Sequence, residues 1–237
     1  MATVLLVRHG RSTANTAGVL AGRTPGVALD ETGRQQVAGL AARLAAVPFT
    51  AVVTSPVERC RETAAALVAV PGPRGRFRTR PPVLTDERLS EVDYGEWSNG
   101  RLRDLARHSL WRTVQVQPSA VTFPGGESLR AMQARAVDAV REHDARVAAD
   151  AGESAVWVAV THGDVVKAVL ADALGIHLDA FQRIVADPAS VSAVRYTEVR
   201  PFVLRVNDTG GDVSGLVPTR RRRPRTDAAV GGGVGGE

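Results

Sequence analysis

Continuous apolar runs alternate along the chain with stretches in which apolar residues recur at helical spacing. Strand-like runs rich in Val, Thr or aromatic residues fall at Thr3–Arg8, Thr50–Thr54, Ala155–Thr161, Ser192–Tyr196 and Phe202–Val206. Between them, Asp30 is placed to cap a helix through Gln36, Val37, Leu40 and Leu44 that ends before Pro48. Ser55-Pro56 reads as the N-cap and first position of a helix reaching about Val70, closed by Pro71-Gly72. A long helix follows Gly126-Glu127-Ser128 through Met132, Val137 and Val140 to about Ala149, and another runs from Asp164 to Leu174 and stops at Gly175. Strands alternating with helices predict an α/β fold: a three-layer α/β/α sandwich whose mostly parallel central sheet carries helices on both faces.

The pattern supports one folded domain over residues 1–206. The Pro/Gly/Arg-rich loop at Pro71–Pro82 does not divide it, because strand and site signals continue beyond. Residues 207–237 differ: they hold Gly210-Gly211, the cluster Arg220–Arg223 with Arg225, and a Gly-rich end, with almost nothing to bury. Disorder is the expectation there. The Arg220–Arg225 cluster is the one feature that hints at nucleic acid, and a solvated tail is the better account of it, so no nucleic-acid partner is expected.

Composition narrows this little further. At 237 residues with 44% hydrophobic side chains, the chain can fill one α/β core. No apolar run approaches the roughly 20 residues that a membrane helix requires. Val4–Val7 is too short for a signal peptide and has no basic leader, so a cytoplasmic protein without membrane contact is expected. The single cysteine, Cys60, excludes an internal disulfide or a cysteine metal cluster and reads as a small core residue. The net charge of +5 is almost wholly arginine, Lys167 being the only lysine. Oligomeric state leaves no trace in the pattern.

The chemistry concentrates at strand ends. Val4-Leu5-Leu6-Val7 ends abruptly in Arg8-His9-Gly10, and the design recurs where Val156–Thr161 ends in His162-Gly163. The glycine after each His is expected to free the turn. Open α/β sheets bind ligands at the C-terminal ends of their parallel strands, where His9, His162 and, one helix turn on, Arg59 would gather. Arginines beside imidazoles point to an anionic substrate, most simply a phosphoryl group. The acidic segment from Asp86 to Trp97 offers proton donors: Asp86, Glu87, Glu91, Asp93 and Glu96. His108, His143 and His177 read as ordinary satisfied polar groups, and Trp97 as core.

Four motifs in this order resemble those of the histidine phosphatase superfamily, also called phosphoglycerate mutase-like. They are Arg8-His9-Gly10 with Asn15 and Leu29-Asp30-Glu31-Thr32-Gly33; Ser55-Pro56-Val57-Glu58-Arg59 with Thr63-Ala64; Leu89-Ser90-Glu91 followed by Gly95 and Trp97; and Thr161-His162-Gly163. The resemblance covers roughly residues 2–206 and implies a role for each. His9 would attack phosphorus and become a transient phosphohistidine. Arg8, Arg59 and His162 would surround the phosphoryl oxygens, with Asn15, Arg11 and Gly163 as further substrate contacts. Glu91 would protonate the leaving group and then activate water. No metal and no cofactor are implied, and the substrate would be a small phosphorylated metabolite.

The same resemblance exposes departures. Arg11 stands where the superfamily commonly carries Glu, Ala21 where many relatives carry Gln or Thr, and Ser98-Asn99 where Glu-Gly often follows the Trp. The interval from Glu91 to His162 holds Arg101, Arg103, Arg107 and Arg112, but no Lys and no adjacent Arg pair such as mutase relatives use. Gly125-Gly126-Glu127-Ser128 is similar to the phosphatase branch. A metal-independent phosphomonoester hydrolase is therefore expected, ahead of a phosphomutase using Arg11, Arg23, Arg101 or Arg103 on a second anionic group. A reading from another class, a non-catalytic phospho-ligand or protein-binding module, leaves Glu91 without a purpose.

Overall fold

The computed structural model describes residues 1–70 and 81–211. The loop expected at Pro71–Pro82 lies outside them except for its last two residues. So do the residues beyond Gly211, with the Arg220–Arg225 cluster and the disorder expected of them. Six strands form one sheet: β1 (Thr3–Arg8), β2 (Phe49–Thr54), β3 (Val83–Thr85), β4 (Val156–Thr161), β5 (Val191–Arg195) and β6 (Phe202–Asp208), in the order β3-β2-β4-β1-β5-β6. β2, β3, β4 and β1 run parallel, whereas β5 pairs antiparallel with both β1 and β6.

Strand residues alternate between two cores, as period-2 geometry demands. Val4 and Leu6 of β1, with Trp157 and Ala159 of β4, face one apolar cluster; Leu5, Val7, Val158 and Val160 face the other. The first is covered by α6 (Leu129–Ala151) and α7 (Gly163–Ala173), the second by α2 (Glu31–Leu44) and α3 (Glu58–Ala69). The expected three layers are thus present. Shorter helices α1 (Thr13–Ala17), α4 (Leu102–Leu105) and α5 (Ser109–Val116) are accompanied by 3-10 turns, among them Glu87–Leu89 and Leu178–Arg183.

Three expectations need correction. Ser55 does not cap α3: Val57 occupies that position without a side-chain cap, and Ser55 Oγ instead bonds His162 Nε2 at 2.8 Å. Gly10 does not serve a left-handed turn. A Cβ there would stand 2.6 Å from the Gly33 carbonyl and 2.7 Å from Val37 Cγ2, so the glycine lets the first turn of α2 pack onto the strand end. The folded domain also continues past residue 206. β6 runs to Asp208, Asn207 N–H donates to Ser192 Oγ at 3.0 Å, and Asp208 pairs with Arg43.

Candidate active site

Sheet register alone brings the two histidines together. Arg8 of β1 lies opposite Thr161 of β4, so the next residues, His9 and His162, leave neighbouring parallel strands side by side. His9 N–H donates to the Thr161 carbonyl at 3.0 Å, and Ser55 N–H, leaving β2, donates to the Val160 carbonyl at 2.9 Å. The two imidazoles meet edge to face with centroids 5.2 Å apart. Both are buried, as are Arg8, Arg59 and Glu91.

Arg59, second residue of α3, links the group. Its Nε donates to His9 Nε2 at 3.1 Å, and its Nη2 donates to the Gly22 carbonyl at 2.8 Å and to His162 Nδ1 at 3.2 Å. Guanidinium can only donate, so these contacts assign both tautomers. His9 keeps its proton on Nδ1, which donates to the Gly10 carbonyl at 2.7 Å, and carries a lone pair on Nε2. His162 keeps its proton on Nε2, toward Ser55 Oγ. Burial, and then the positive charge of Arg59, hold both histidines well below the usual imidazole range. Arg59 Nη1 is buried with no hydrogen-bond partner among the described residues, a donor suited to an incoming anion. Arg8 is anchored through Nη1 on the Ala186 carbonyl at 2.7 Å.

Glu91 arrives from a different kind of element. It lies in an irregular loop after a short 3-10 turn, Glu87–Leu89, which the Thr161 hydroxyl grips through the Leu89 carbonyl at 2.6 Å. Glu91 Oε1 accepts from Val92 N–H at 3.0 Å, and Oε2 stands 3.9 Å from His162 Nδ1. Burial first, and then the charge of Asp164, push its carboxyl up to about 7. Such an acid holds its proton near neutrality and can also give it up.

The remaining expected residues divide. Asn15 lines the cleft beside His9, Arg59 and Glu91, while its Oδ1 closes a capping box with Ser12 at the start of α1. Gly163 opens α7, whose N-cap is His162. Arg11 turns toward Asp30, Nε to Oδ2 at 2.7 Å, and Asp30 in turn caps α2 through Gly33 N–H. His108 and His177 cap short helices, and His143 pairs with Asp86 at 2.8 Å. Cys60 is buried, with its thiol pushed up to about 12 by desolvation.

Sequence reasoning passed over a second buried group behind the site. Asp164 accepts from Tyr94 Oη at 3.0 Å and pairs with Lys167 Nζ at 3.1 Å; Lys167 also donates to Gln182 Oε1 and sits over the Phe181 ring. The available signal was the only lysine of the chain, set within Val165-Val166-Lys167-Ala168-Val169. A cation in so apolar a window demands a buried partner.

Comparison with known proteins agrees with this geometry. The family model of the histidine phosphatase superfamily (branch 1) matches residues 4–209. The chain is 27% identical over 211 residues to phosphoserine phosphatase 1 of Hydrogenobacter thermophilus, covering 88% of this chain and 93% of that one. It is 30% identical over 223 residues to a probable phosphoglycerate mutase, GpmB, of Erwinia tasmaniensis, covering 92% and 97%. Among solved structures, Bacillus stearothermophilus YhfR superposes with a TM-score of 0.75 at 27% identity, covering 88% of this chain and 98% of that one. No helix among the described residues is long and apolar enough to cross a membrane.

Proposed function

The chain belongs to the histidine phosphatase superfamily, and on that footing we propose that it hydrolyses phosphate monoesters of small metabolites through a phosphohistidine on His9. One observation carries the reading: His9 presents an unprotonated Nε2 to the cleft, with Nδ1 tied to the Gly10 carbonyl and Arg59 and Glu91 alongside.

In the first step the Nε2 lone pair attacks phosphorus and the P–O ester bond breaks. The Glu91 carboxyl gives its proton to the departing alkoxide. Arg59 releases its bonds to the two imidazoles and turns those donors to the phosphoryl oxygens, joined by the buried Nη1. Arg8, His162, Asn15 and the Gly163 N–H complete the cradle. In the second step the Glu91 carboxylate takes a proton from water, whose oxygen attacks phosphorus as the P–N bond breaks. Free His9, inorganic phosphate and protonated Glu91 result.

The cleft is flanked by Val19, Leu20, Tyr94 and Leu102, and Arg101 and Arg103 line a second hollow that shares Gly18, Val19 and Leu102 with it. That arrangement suits a compact leaving group with a polar or anionic end. Phosphate release from a panel of phosphorylated metabolites tests the reading, together with acid-quench trapping of a labelled phosphoenzyme. Turnover and label both absent in His9→Ala, with vanadate inhibiting the wild type, would support it; label retained without His9 would refute it.

The similarity to a probable phosphoglycerate mutase favours one second reading, phosphoryl transfer between two positions of one substrate. Adding a bisphosphate primer separates the two. A mutase gains isomerase activity, whereas a hydrolase releases only phosphate.

A further inference from the structure

Three charged side chains outside the phosphoryl pocket converge on the backbone of the loop that carries the acid. The Glu91 carbonyl accepts two guanidinium donors, Arg23 Nε at 2.8 Å and Arg135 Nη2 at 3.1 Å. Both guanidiniums meet again on Glu127: Arg23 Nη2 at 2.9 Å and Arg135 Nη2 at 2.5 Å on Oε1, with Arg135 Nε on Oε2 at 3.0 Å. Arg135 Nη1 also takes the Arg88 and Ser90 carbonyls at 2.6 and 2.8 Å, and Glu127 Oε1 accepts the Asp93 N–H at 2.9 Å. The acid loop thus has its backbone tied at 88, 90, 91 and 93 by one Arg–Glu–Arg unit. Its members come from three separate places: Arg23 from the position after Gly22 of the pocket wall, Glu127 from the turn before α6, and Arg135 from α6 itself.

This matters because nothing regular holds Glu91. The residue lies in no strand or helix, and the hydrogen bond to its carboxyl comes from the adjacent Val92 N–H. The carboxyl's position is therefore inherited from its backbone. Arg23 adds a second connection. Its neighbour Gly22 offers its carbonyl to Arg59 Nη2, so residues 22–23 join the phosphate-binding arginine to the acid.

We propose that Arg23, Glu127 and Arg135 are positioning residues that hold Glu91 at the leaving-group oxygen, Arg23 making that placement depend on the wall of the substrate pocket. The proposal rests on the general-acid role of Glu91 given above. Arg23 is 41% exposed at its side chain, so Arg23→Ala can be made without opening the core. Rates are compared for an alkyl phosphate, whose leaving group requires a proton, and for p-nitrophenyl phosphate, whose leaving group does not.

Misplacing a general acid forfeits part of the 10²–10⁴-fold it supplies. On that scale, Arg23→Ala is expected to lower kcat/KM about tenfold or more on the alkyl phosphate and less than about threefold on the nitrophenyl ester, since kcat/KM ends at leaving-group departure and omits the water-activating step both substrates share. Arg135→Lys, which keeps the charge but loses the planar fork, gives the same signature. In a Glu91→Gln background the Arg23→Ala change falls silent, because the group it positions is gone. Equal losses on both substrates, or an undiminished effect in the Glu91→Gln background, overturn the proposal and reduce the unit to ordinary scaffolding. Glu91→Gln alone reports separately on the acid assignment. If that variant shows no leaving-group preference, the acid role fails, and the positioning role fails with it.

Discussion

The floor and the wall of the cleft are built by opposite means. His9, His162 and Ser55 sit at the ends of adjacent parallel strands, where backbone hydrogen bonds set their spacing before any side chain is chosen. Glu91 has no ladder. Its loop hangs from α6 and a glutamate through side-chain hydrogen bonds, and its carboxyl lies in a field shaped by Asp164. A nucleophile that must meet phosphorus in line gains from the stiffness of a sheet. An acid that must serve leaving groups of differing shape can stand on an adjustable mount.

The contrast can be tested by experiments of decreasing effect. His9→Ala is expected to cost on the order of 10⁴-fold or more in turnover of every substrate, since no neighbouring group replaces the lone pair. Steady-state phosphate release measures it, and a loss confined to some substrates would break the distinction between floor and wall. Glu91→Gln should lower kcat/KM, which reports the leaving-group step alone, by roughly 10²–10⁴-fold for alkyl phosphates and far less for nitrophenyl phosphate.

The third test is the pH profile. With Glu91 pushed up to about 7, kcat/KM for an alkyl phosphate should fall as pH rises through that value, because the required proton is lost. Asp164 carries negative charge that favours the protonated acid, so Asp164→Asn should move this limb to lower pH. An unmoved limb would assign it to another group.

Two stability measurements sharpen the floor. Gly10→Ala forces a Cβ against the Gly33 carbonyl, and a loss of about 1–3 kcal/mol in denaturant unfolding is expected. Arg11→Ala breaks a partly exposed pair with Asp30 and should cost ~0–1 kcal/mol in the same assay.

Legibility followed the same division. The strands that lead into His9, Ser55 and His162 were readable because each is an apolar run ending in a motif, and the structure moves their bounds by only a residue or two. β3 escaped notice because it has three residues, all exposed, after Pro81-Pro82. α5 escaped because only Trp111 and Val114 of its eight residues are buried. At the site, strand ends pointed to Arg8, His9 and His162 and the motif resemblance to Arg59 and Glu91, and the structure brings these five side chains together. Arg23, Glu127, Arg135 and Asp164 could not be given their places, because their partners are distant in the chain and are set by tertiary packing. Ser55 shows the limit most clearly. Ser-Pro before a helix favours a cap, yet a buried imidazole nearby is the stronger claimant on its hydroxyl. Arg11, expected as a substrate contact, is seen fastening the strand end to the cap of α2.

The pairing of β1 carries a consequence for how the molecule is made. β1 is the first strand of the fold, yet its neighbours in the sheet are β4 and β5. During synthesis its apolar run must wait, unpaired, until β4 has been added, and its second edge stays open until β5 follows. The loop closure that finally seats it is the same event that sets His9 beside His162. Recovery of turnover in a refolding experiment will therefore time that long-range closure, and should lag behind the appearance of helix signal from α6 and α7. The histidine pair is a built-in clock for that closure.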